Sequence, residues 1–167
     1  MKLFVSKDIR RRLHVAVSRA GRREIGGVLM AEQLEPGSFR LVDFTIDGRT
    51  GSAAHFVRSV DDHRLALTEF FERTGSDFER FNYLGEWHSH PNHPPTPSTQ
   101  DVRSMESLVH GERDIPFAIL LIVRAARQAL MCSATIFLRH QGFETVAMCD
   151  EADTRQGEQN VEDQHTA

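Results

Sequence analysis

Gly85-Glu86-Trp87-His88-Ser89-His90-Pro91, followed by Ser98 and then Asp101, is the stretch on which both the fold and the chemistry turn. The apolar, aromatic run from Phe81 to Trp87 reads as a strand, and strand alternation turns the imidazoles of His88 and His90 to one face. Two nitrogens on one face are part of an open catalytic zinc site, which takes three protein ligands and leaves a fourth position for water. Next comes Pro91-Asn92-His93-Pro94-Pro95-Thr96-Pro97, four prolines in seven residues, which can be neither helix nor central strand. It is a stiff turn that brings the start of a helix at Ser98 back toward the strand end. Asp101, in the first turn of that helix, is the candidate third ligand. His93 is a rival, but the proline run aims it away from the strand pair.

Each of these residues also has an ordinary structural reading. Ser98-Thr99-Gln100-Asp101 resembles a capping box, although that box favours Glu or Gln in the last position, and Ser98 can serve as cap and site together. A lone His-x-His on a strand is more often a half-buried polar pair than a clamp. The stiff loop, the carboxylate at the helix start and a distant glutamate reverse that balance. The glutamate is Glu24, in Glu24-Ile25-Gly26-Gly27-Val28-Leu29-Met30, where an acid opens an apolar run with two adjacent glycines. Glycine inside a strand marks the close approach of another backbone or a ligand. A carboxylate beside a metal-held water is the usual general base of metal-assisted hydrolysis. From the residues alone, a surface glutamate at a strand start weighs equally.

Glu24, then His88-Ser89-His90-Pro91, six residues, Ser98, two residues and Asp101 together resemble the motif of the JAMM metalloproteases, the MPN-domain family. The likeness extends to Gly26-Gly27-Val28-Leu29 and covers roughly residues 3–148. It implies an α/β fold with a mixed, largely antiparallel sheet flanked by helices, the cytidine-deaminase-like architecture. It also implies one zinc ion per chain on His88, His90 and Asp101, with Glu24 as general base and Ser98 as hydrogen-bond donor to the oxyanion. Ser89 and Trp87, on the opposite face, are expected to be structural. Gly85-Glu86-Trp87 and His55-Phe56-Val57-Arg58 are similar to compact bacterial members, among them deconjugating peptidases encoded beside ubiquitin-transfer-like enzymes in antiphage operons. The implied function is a zinc-dependent peptidase or isopeptidase cutting after a ubiquitin-like tail or a conjugated protein's C-terminus. A ubiquitin-like protein or its conjugate would be the substrate, with the cognate conjugating enzymes as candidate partners. A processing peptidase for a small sulfur-carrier protein is the alternative. A binding module without turnover is a third reading, against which the intact Glu24 argues.

The 167 residues, 40% hydrophobic, suffice for one domain, expected over 1–149, with 150–167 as an acidic disordered tail. Net charge is −4, and the tail carries six acids against Arg155, which leaves the body near neutral without a basic stripe. Arg10 to Arg12 and Arg22-Arg23 flank a helix as its solvated face, so nucleic acid is not an expected partner. No apolar run reaches membrane-span length and Met1 to Ser6 is too short for a signal peptide, so the expected location is cytoplasmic. Cys132 and Cys149 read as reduced structural thiols. Periodicity predicts helices over 7–19, 61–73 and 98–110, and strands near 3–5, 24–31, 39–46, 81–87, 116–123, 130–138 and 143–148. The loop 47–54, with Gly48 and Gly51, and the proline loop are expected to wall a narrow channel that admits an extended peptide.

Overall fold

The computed structural model describes residues 1–47, 60–111, 115–127 and 129–151. β1 (Lys2–Val5) leads into α1 (Lys7–Ala20), then β2 (Gly26–Glu35), β3 (Ser38–Phe44), α2 (Val60–Arg73), β4 (Phe81–Ser89), α3 (Thr99–His110), β5 (Phe117–Ala126), β6 (Ala129–Leu138), β7 (Gly142–Thr145) and β8 (Ala147–Asp150). The strands form one sheet in the order β7-β6-β5-β4-β2-β3-β1-β8. Pairing is antiparallel for β2 with β3 and β4 and for β6 with β5 and β7, and parallel for β1 with β3 and β8 and for β4 with β5. The expected α/β fold with a mixed, largely antiparallel sheet flanked by helices is the fold the chain adopts.

The predicted strand 143–148 is corrected to two strands on opposite edges of the sheet. β7 pairs with β6, β8 pairs with β1, and Val146 alone joins them. The Val146 N–H still donates to the Ala134 carbonyl at 2.9 Å, whereas Ala147 N–H already reaches Met1 O at 3.3 Å. Two edges joined by one residue must lie close together, so the sheet curls nearly shut. Its concave face holds the main core, where Ile9, Leu13 and Val17 of α1 meet Leu29, Leu41, Trp87, Leu121 and Ile136. Phe39 of β3 and Phe117 of β5, with two strands between them in the sheet, meet with ring centres 5.6 Å apart and planes tilted by 53° across this concavity. Spacing of four residues along α1 supplies that stripe, and each fully buried Leu or Ile contributes about 1.5–3 kcal/mol. On the convex face α3 lays Met105 and Val109 on Ala118, Leu120, Ile122 and Phe137, and α2 sets Phe70 edge-on to Phe81 of β4.

β2 starts two residues later than predicted, so Glu24 precedes the strand. The cause is local: Ile25 N–H donates to the Ser89 hydroxyl at 3.0 Å in place of a ladder carbonyl, while Ile25 O accepts Ser89 N–H at 2.8 Å. The paired glycines mark a protein contact. A β-carbon on Gly27 would collide with the carbonyl and hydroxyl of Thr45, and the same Thr45 carbonyl accepts the Trp87 indole N–H at 2.8 Å. Trp87 is fully buried and edge-on to Phe44 at 5.4 Å, which makes it the core residue it was expected to be.

The expected tail, from 152 on, lies outside the described residues, as do 48–54 of the proposed channel wall and His55 to Arg58. Asp150 and Glu151, the first residues assigned to that tail, are ordered against the sheet by ion pairs with Arg10 at 2.9 Å and Arg40 at 2.7 Å.

Candidate metal centre

The carboxyl end of β4, the proline loop and the first turn of α3 meet on the convex face. The pleat sends Trp87 and Ser89 inward and His88 and His90 outward, as the sequence pattern predicts. His88, His90 and Asp101 are 4%, 5% and 3% exposed, so three polar side chains converge out of reach of bulk water. Their ligating atoms form one group within 4.8 Å, alone of its kind among the described residues. His88 Nε2 lies 3.0 Å from His90 Nε2 and 3.4 Å from Asp101 Oδ1, and His90 Nε2 lies 3.6 Å from Asp101 Oδ2. A tetrahedral ion with bonds of about 2.0–2.1 Å has ligand–ligand edges of about 3.3 Å. The separations involve both carboxylate oxygens, and with one ligating atom taken from each residue the three lie within 4.8 Å, a convergence that a zinc ion could draw in to that edge.

The proline loop fixes the protonation pattern as well as the path. His90 Nδ1 lies 2.9 Å from the Pro94 carbonyl, and a carbonyl only accepts, so Nδ1 carries the proton and the Nε2 lone pair faces the triad. The next carbonyl, Pro95 O, accepts the Ser133 hydroxyl of β6 and staples the loop across β5. Sequence reasoning saw the stiffness of the loop but missed both carbonyls, because any residue offers one. His93 stays exposed, with its ring 6.4 Å from that of His90, and is not part of the converging group.

Ser98 caps α3 in extended backbone, φ −78° and ψ 166°, and the capping box closes in both directions. The Ser98 hydroxyl accepts Asp101 N–H at 3.2 Å and Ser98 N–H donates to Asp101 Oδ2 at 2.7 Å. Burial pushes the Asp101 carboxyl up, but the hydrogen bond and charge of His88, then the hydroxyl and amide of Ser98, outweigh it and hold the group at about 2, against an ordinary 3.8. Asp101 is therefore an anion at neutral pH, as a ligand must be. Ser98 itself is exposed, so its hydroxyl can exchange the Asp101 carboxylate for another acceptor. Glu24 is half-buried one residue before Ile25, whose backbone is bonded to Ser89 between the two histidines. That puts the backbone of Glu24 beside the end of β4 that bears His90.

Cys132 and Cys149 are free thiols, and burial pushes Cys132 up to about 11 against the opposing charge of Arg10, far from the range of a nucleophile at neutral pH. No helix among the described residues is long and apolar enough to cross a membrane.

A family model described as prokaryotic homologs of the JAB domain matches residues 6–136, and the chain belongs to that family. A protein of Enterobacter hormaechei subsp. hoffmannii named CD-NTase/cGAS isopeptidase is 34% identical over 93 residues, which is 54% of this chain and 48% of that protein. The chain thus matches about half the length of this relative. Two solution structures share the fold. A protein from Desulfitobacterium hafniense has a TM-score of 0.66 at 19% identity, over 90% of this chain and 94% of that one. A protein from Salinibacter ruber has a TM-score of 0.57 at 21% identity, over 92% and 94%.

Proposed function

We propose that this chain is a zinc-dependent peptidase or isopeptidase that hydrolyses the bond after a ubiquitin-like protein's tail or a conjugated protein's C-terminus. The observation that carries the proposal is the convergence of the buried His88, His90 and Asp101, whose ligating atoms lie within 4.8 Å of one another, beside an exposed Ser98 hydroxyl. Two imidazoles and a carboxylate suit zinc, and three protein ligands rather than four suit a catalytic rather than a closed structural site. Bound there, zinc supplies a water acidified toward a pKa of about 7 and polarises the scissile carbonyl. Glu24 takes the proton of the attacking water and returns it to the departing amine. The Ser98 hydroxyl donates to the oxyanion, a charge present only as the bond breaks. Pro94 and the α3 cap keep His90 and Asp101 in register for this work, so little reorganisation is left to the reaction.

The relative's name supports the substrate class, because an isopeptidase acts on a conjugate and CD-NTase names a nucleotidyltransferase. In this reading the chain reverses or processes conjugation in a bacterial antiphage pathway in the cytoplasm, with the ubiquitin-like protein or its conjugate as partner. The test is cleavage of such a precursor or conjugate by the purified zinc-loaded protein, read by intact mass. Cleavage at one bond, lost on chelation and in Glu24→Ala, is the expected result. An unchanged rate in both controls would sink the mechanism.

A further inference from the structure

Arg124 stands on the sheet face that bears His88 and His90, and no acid among the described residues pairs with it. The parallel register of β4 and β5 sets Ser89 against Val123, and His90 N–H continues it by donating to Val123 O at 2.9 Å. The next pair in that register is His90 with Arg124. Ile122 packs toward α3, so Arg124, two residues on, projects from the same face as His88 and His90. On its other side β6 offers Ser133 opposite Ile122 and Met131 opposite Arg124, and the proline loop reaches across to bond Ser133. Arg124 therefore lies one strand, about 4.8 Å in backbone spacing, from a metal ligand, in the angle between the proline loop and the β5–β6 ladder.

Its chemistry is unspent. Among the described residues its Nε atom is buried without a hydrogen-bond partner, as is that of Arg10, but Arg10, Arg40, Arg73 and Arg80 each pair with acids. Among the described residues no acid pairs with Arg124. A buried guanidinium nitrogen left unbonded costs free energy that a partner would recover. The charge balance points the same way. Asp101 and Glu24 would together offset a bound dication without Arg124, and a planar fork of donors suits a carboxylate.

We propose that Arg124 is a substrate-recognition residue that binds a carboxylate of the bound chain beside the scissile bond. The proposal rests on the peptidase reading for the word substrate, and it names an acidic feature of that substrate which the family membership does not. The carboxylate is either an acidic side chain or a free C-terminus.

The test reads binding. Zinc-loaded full chain is titrated calorimetrically with four thiol probes that anchor on the metal: mercaptoacetyl-alanine and its amide, and the amides of mercaptoacetyl-aspartate and mercaptoacetyl-asparagine. The expected result is about a tenfold preference for one carboxylate over its neutral partner. Preference within the alanine pair identifies a C-terminus, and within the aspartate pair a side chain. Arg124→Gln should abolish the preference with zinc content unchanged, and Arg124→Lys should keep part of it. A preference that survives Arg124→Gln, or equal affinities in the wild type, would overturn the proposal. Failure of the peptidase reading looks different: a wild type that shows the Arg124-dependent preference yet cleaves no conjugate.

Discussion

The chain starts two helices with the same device and uses it for different ends. Ser6 caps α1 at φ −68° and ψ 159°, and its hydroxyl accepts Ile9 N–H at 3.2 Å. Ser98 caps α3 in nearly the same conformation with the same 3.2 Å bond to the third helical N–H. The difference is the residue that bears that N–H. In α1 it is Ile9, which sinks into the core, and the first-turn acid Asp8 stays at the surface paired with Arg11. In α3 it is Asp101, which closes the box, is 3% exposed and turns its carboxylate to His88 and His90. A first-turn acid is ordinarily a few tenths of a kcal/mol of capping. Buried between two imidazoles, it is a candidate ligand held in place by its own helix start.

The comparison breaks most visibly at Asp101. Asp101→Ala should reduce zinc affinity by more than 100-fold, since loss of an outer-shell partner alone costs about 10- to 100-fold, and should leave no measurable turnover. Competition with a chromogenic chelator measures the first and the cleavage assay the second. Substantial zinc retention would mean that the ion sits elsewhere. The metal-free protein also tests the electrostatics. Asp101 titrates at about 2 when folded, below its ordinary 3.8, so its stabilisation is fully present above about pH 4 and is lost as pH falls through 2. The shift corresponds to about 2 kcal/mol, and urea midpoints of the chelated protein against Asp101→Asn should converge over that interval.

This corner was legible in sequence because its signals are local. His88 and His90 are fixed by strand period, Ser98 and Asp101 by helix-start spacing, and four prolines allow only a turn. What escaped notice was set by pairing between distant segments. The bend at Val146 cannot be read from 143–148, whose β-forming residues run on unbroken; it exists because β6 and β1 each claim half of the stretch. Arg124 likewise looks like an ordinary strand residue until the β4–β5 register sets it against His90. The glycines at 26 and 27 did announce a close approach, but only the structure shows that Thr45 makes it.

Ser98→Ala and Ser6→Ala sharpen the contrast directly. Each removes one capping hydroxyl and should cost about 1 kcal/mol in denaturant midpoint. Ser98→Ala should in addition lower kcat by about 100-fold, since it removes the proposed donor to the oxyanion, with zinc content retained. Ser6→Ala should leave kcat unchanged. Equal turnover in the two variants would reduce Ser98 to a cap.

Asp8→Asn probes the smallest effect and completes the comparison. Asp8 lies in the first turn of α1, where the helix dipole favours a negative charge, and it is paired with Arg11, but both side chains are more than half exposed. Water and salt screen such a pair, so the change should move the urea midpoint by less than about 0.5 kcal/mol, and less still in molar salt. A larger cost at Asp8 would mean that the dipole and a surface ion pair account for much of the stability at a helix start. The depressed pKa of Asp101 would then lose its link to the histidines. A small cost leaves burial against His88 and His90 as the feature that separates one first-turn aspartate from the other.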